Sequence, residues 1–149
     1  MIKLRDVLYV GALAATLTLG ASGHAAMAAD SVSLTATLAG SSEVPPNTSA
    51  ASGSLTASLD KQSNVLTWTV NYSGLSGPAK AGHFHGPAMA GQNAGVALGF
   101  KGGVDSPING SATLTTAQVS DLLAGKWYVN LHTAAHPGGE IRGQVAVAP

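Results

Sequence analysis

Apolar side chains recur with a period of two along most of the chain. In "SVSLTATLA" Val32, Leu34, Ala36 and Leu38 share one face, and in "GSLTASLD" Leu55, Ala57 and Leu59 do the same. After the polar turn "KQSN", the run "VLTWTVNY" sends Leu66, Trp68, Val70 and Tyr72 to one side and Thr67, Thr69 and Asn71 to the other. Such alternation predicts half-buried strands joined by hairpins. One segment breaks the period: in "LTTAQVSDLLAG", Thr115 or Thr116 is placed to cap a short helix that carries Val119, Leu122 and Leu123 and stops at Gly125. Two stretches show no period and read as loops. They are "GSSEVPPNTSAAS", where Pro45 and Pro46 forbid a central strand, and the glycine-rich run from Ala88 to Gly110, within which Val96 to Leu98 could form a short strand.

The last hairpin is specific enough to assign a register. Pairing Leu131 with Ile141 sets Val129 opposite Gly143 and Trp127 opposite Val145 on an apolar inner face. The same register sets His132 opposite Glu140, Asn130 opposite Arg142 and Tyr128 opposite Gln144 on the outer face. The pattern as a whole predicts an all-β fold, an antiparallel Greek-key-like β-sandwich of about 7–8 strands with one short helix before the final hairpin.

Composition then bounds what this fold does. The basic start "MIKLRD", the apolar run from Val7 to Leu19 and the small residues of Ala26-Met27-Ala28 read as a signal peptide over residues 1–28, leaving a single domain at 29–149 and a secreted or periplasmic protein. The apolar core is shorter than the ~20 residues of a membrane span, so no membrane attachment is expected once the signal is cleaved, although an uncleaved anchor is the alternative. There is no cysteine, hence no disulfide staple. In the mature chain Lys61, Lys80, Lys101, Lys126 and Arg142 stand against Asp30, Glu43, Asp60, Asp105, Asp121 and Glu140. A chain this close to neutral offers no basic patch for nucleic acid.

All the mature histidines fall in two short segments, at 83, 85, 132 and 136. In "AGHFHG" strand parity turns Phe84 inward and displays His83 and His85 together, their Cα atoms roughly 6.6 Å apart. That spacing lets two imidazoles reach one ion, and zinc and copper both accept imidazole nitrogen at about 2.0 Å. His132 is the natural third ligand from a neighbouring strand, His136 a candidate fourth, and Glu140 a carboxylate that could orient the His132 ring. The plainer alternative makes the histidines part of a polar outer face. By the same measure Glu140 and Arg142 read as an ordinary ion pair on an exposed strand, and Trp127 and Tyr128 as sheet packing. Four histidines, with no aspartate in either segment, are too few for a bridged two-metal site, so a single ion is the most the sequence supports.

Three stretches resemble, in order, the chordin-type (CHRD) domain: "LAGSSEVPPNTSAASG", "LTWTVNYSGLSGPAKAGHFHGPAMAGQNAG" and "LLAGKWYVNLHTAAHPGGEIRGQV". The resemblance covers the mature chain and implies an extracellular or periplasmic β-sandwich; it brings His83, His85 and His132 forward as matched positions. Three functional readings follow. The first is an exported protein that binds copper or zinc through its histidines for carriage, storage or sensing. The second is a metal-free adhesion or scaffolding module that meets an extracellular or cell-surface protein through the loops at 40–52 or 88–110. The third is a single-metal redox or hydrolytic enzyme, for which Glu140 is the one evident general base.

Overall fold

The structure is a computed structural model and describes residues 30–149. The signal peptide expected at 1–28 lies outside the described residues. Among the described residues no helix is long and apolar enough to cross a membrane.

The alternating runs form the strands they predict: β1 (Ser31–Ala39), β2 (Ser52–Asp60), β3 (Val65–Ser73), β4 (Ala81–His85) and β5 (Val96–Gly99). They are followed by β6 (Ile108–Thr113), α1 (Thr116–Leu123), β7 (Tyr128–His132), β8 (Ile141–Gln144) and the short β9 (Ala146–Val147). Thr115 caps α1 by accepting from the Gln118 N–H, and the Gln118 side chain returns the bond to the Thr115 N–H. Gly125 follows at φ +70°, a left-handed conformation that ends the helix and leads into the final hairpin. β6 begins inside the stretch expected to be loop, at Ile108, and runs past its end at Gly110.

All pairings are antiparallel, in the order β5-β4-β7-β8-β1-β2-β3-β6, with β9 on the flank of β1. The expected sandwich thus takes the form of one continuous sheet that curls over its own core. Between β8 and β1 the ladder narrows to the single pair Ala39 and Arg142. Trp68 on β3 and Phe84 on β4, far apart in strand order, meet edge to face at 5.3 Å. The enclosed core contains Leu34, Leu38, Leu55, Leu66, Phe84 and Leu131, each at most 2 % exposed, and all come from the inward parity of their strands.

The final hairpin has the predicted register, with Leu131 paired to Ile141, Val129 to Gly143, Asn130 to Arg142 and Tyr128 to Gln144. Its outer face, however, is not open. The segment from Gly40 to Ala51 crosses it from one side, with Asn47 Nδ2 donating to Glu140 O at 3.0 Å. Residues 88–95 close from the other, where Arg142 donates to Gln92 O at 2.6 Å and to Asn93 Oδ1 at 2.9 Å. Asn93 Nδ2 in turn donates to Val44 O at 2.9 Å, tying the two covers together.

Candidate metal centre

β4 and β7 lie side by side, with Ala81 opposite His132, His83 opposite Asn130 and His85 opposite Tyr128. Phe84 is fully buried, so the alternation of β4 lifts His83 and His85 onto the outer face. There the alternation of β7 supplies His132, Asn130 and Tyr128. Among the described residues, His83, His85 and His132 form a cluster whose ligand nitrogens all lie within 4.8 Å of one another. The sequence-predicted trio is therefore brought together by a single strand pairing.

Each ring is oriented by a neighbour. His85 Nδ1 donates to Ala94 O at 3.0 Å, which in the neutral ring leaves Nε2 as the free lone pair; that atom is buried and has no hydrogen-bond partner. The ring is further fixed by Tyr128, which stacks on it nearly parallel at 4.8 Å, and the Arg142 guanidinium covers the other face of Tyr128 at 3.4 Å. His132 Nδ1 donates to Pro137 O at 3.0 Å and presents Nε2 to His83 Nδ1 at 3.2 Å. Desolvation, reinforced by the other histidines, lowers the pKa of His83. Desolvation and His85 also lower that of His132, against the opposing bond to Pro137. Both rings are thus biased toward the neutral form that a metal requires.

The expected roles of His136 and Glu140 are not realised. His136 lies in the hairpin loop, outside the cluster, where its backbone bonds to Thr133. Glu140 hydrogen-bonds no histidine. Its carboxylate is fully buried and accepts from Ser49 Oγ at 2.8 Å, Ser76 Oγ at 2.6 Å, Ser76 N at 2.8 Å and Thr133 Oγ1 at 2.6 Å. The ladder ends at Leu131 and Ile141, and Gly139, at φ +132°, turns the chain just before Glu140, so strand parity no longer decides where this side chain points. Burial raises the Glu140 pKa, but the bonds from Ser76, Thr133 and Ser49 outweigh it and hold the group down to about 2. Nor do Glu140 and Arg142 form the exposed ion pair; both are buried, with separate partners.

Three residues join the site that the sequence did not single out. Asn130 and Tyr128 share the parity of His132 and were legible to that extent. Glu43 was not, because it arrives on the crossing loop. It is 6 % exposed, and burial pushes its pKa up to about 7 against the lowering influence of Arg142, Asn130 and the Val44 backbone.

The family model of the CHRD domain matches residues 34–145. No curated protein and no solved structure gives a match.

Proposed function

The chain belongs to the CHRD domain family, and from that premise we propose that it binds one transition-metal ion, copper or zinc, at His83, His85 and His132, for carriage, storage or sensing outside the cytoplasm. The observation that carries this reading is the buried, unpartnered Nε2 of His85 in a group of imidazole nitrogens no more than 4.8 Å apart. A buried acceptor without a donor costs roughly 1–3 kcal/mol, and an ion at the centre of the cluster removes that cost. Bonds of about 2.0 Å to all three nitrogens ask only that the rings close inward from this spacing. The donors are imidazole nitrogens with no sulfur, which suits a divalent copper or zinc ion better than a softer one. The export signal read in residues 1–28 supports a secreted or periplasmic setting.

Binding is favoured over catalysis because Glu140, the expected general base, is committed to three hydroxyl groups, and its pKa, held down to about 2, makes it a weak base. Glu43 titrates in a more useful range, but Asn130 stands between it and the imidazoles. The adhesion reading loses support because polar groups of both candidate contact loops turn inward onto the final hairpin.

Equilibrium dialysis against Cu(II) or Zn(II), followed by elemental analysis, tests the proposal. One ion per chain is expected, with loss of uptake in the His83→Ala, His85→Ala double variant and no change in His136→Ala. Equal metal content in the parent and the double variant would sink it.

A further inference from the structure

Asn130 is 3 % exposed and pairs with His83 across the ladder, so the two side chains rise together from one face. Its Oδ1 lies 3.0 Å from His132 Nε2. Pro137 O at Nδ1 and Asn130 Oδ1 at Nε2 both only accept, while a neutral His132 ring carries one proton; with that proton on Nδ1, Nε2 is a bare lone pair. Two acceptors therefore face each other at hydrogen-bond distance. Among the described residues, the other hydrogen-bond neighbour of this nitrogen is His83 Nδ1 at 3.2 Å, and it too belongs to the histidine cluster. Lone pairs gathered in this way are unfavourable unless positive charge sits among them.

The amide is also turned in a definite direction. Asn130 Nδ2 and Glu43 Oε1 lie 2.8 Å and 2.3 Å from the point that a Cβ on Gly139 would occupy, so the amino group and the Glu43 carboxylate border the same space under that glycine. Flipping the amide would set its oxygen against Glu43 and its N–H₂ against the imidazoles. The ionised carboxylate opposes that flip, because it can only accept.

We propose that Asn130 Oδ1 is the fourth donor of the metal centre, completing a set of three imidazole nitrogens and one amide oxygen, and that Glu43 is the positioning residue that keeps this oxygen turned inward. This rests on the three-histidine reading above. It assigns to Asn130 the place that the sequence offered to His136, and to Glu43 the orienting role that it offered to Glu140. An oxygen in the fourth position further favours a divalent ion.

Co(II), whose visible bands report coordination directly, is the probe, titrated into metal-stripped protein near pH 8 with a chelator in competition. Asn130→Ala should still bind one ion but about 10–100-fold more weakly and with altered bands. Asn130→Asp, which keeps an oxygen in place but sets a second one against Glu43, should still bind one ion, with shifted bands. Glu43→Gln should weaken binding less than Asn130→Ala and leave the band positions unchanged. Parental affinity and spectrum in Asn130→Ala would overturn the assignment. So would an unshifted spectrum in Asn130→Asp, which decides the matter even if the alanine variant fails to fold. If either occurs while the His83→Ala, His85→Ala variant loses Co(II), the histidine site stands and only the fourth donor falls; a parent that takes up no Co(II) removes both.

Discussion

Two buried carboxyl groups flank the histidines, and their surroundings drive them in opposite directions. Glu140 collects donors from Ser49, Ser76 and Thr133, and its pKa falls from 4.5 to about 2. Glu43 is desolvated, with donors too few to offset its burial, and its pKa rises from 4.5 to about 7. A lowered acid contributes stability above its unfolded pKa, so the Glu140 contribution is present above pH 4.5 and is lost as the pH falls toward 2. A raised acid does the reverse: the Glu43 contribution is full below pH 4.5 and is lost as the pH climbs toward 7. Thermal melts across this range distinguish the two. Glu140→Gln should cost about 2 kcal/mol near pH 6 and flatten the acid limb of the Tm curve. Glu43→Gln should instead reduce the loss of Tm between about pH 5 and 8, and a curve parallel to the parent's would contradict the upward shift.

At the scale of elements, β6 and the last hairpin differ in how plainly the sequence announces them. The hairpin alternates large apolar residues with polar ones, so its register follows from side-chain parity alone. β6 alternates too, but its inward positions are Ile108, Gly110 and Ala112, of which only the first is a large apolar residue. Gly110 is opposite Trp68, and a Cβ there would stand 2.3 Å from the indole Cζ2; the large residue on β3 has taken the volume that β6 would otherwise fill. A strand that is half of such a pair loses its hydrophobic signature to its partner. Gly110→Ala should therefore destabilise by about 1–3 kcal/mol through overpacking, read as a lower Tm with a changed near-UV tryptophan signal. Gly103→Ala, with nothing within 4 Å of its Cβ, is the control and should leave both unchanged.

For the whole molecule, the histidine cluster joins two strands under two crossing loops, so an ion bound there should be felt by the entire fold. An ion at about 100 times its Kd stabilises by about 2.7 kcal/mol, which for a domain of this size raises Tm by roughly 10 °C. Scanning calorimetry with and without Zn(II) checks this, and the His83→Ala, His85→Ala variant should show no shift. Sequence alone established the all-β class, most strands, a short helix capped at Thr115 or Thr116, and the hairpin register, because each depends on parity or local backbone chemistry within a few residues. Parity also displayed His83 and His85 on one face and His132 on another strand. Only the tertiary structure decided that β4 pairs with β7 and so brings those histidines together. It also decided the exchange of roles between the two glutamates. Glu43 reaches the site on a loop and Glu140 leaves the ladder after Gly139, and no sequence period records where a side chain goes once regular pairing has ended.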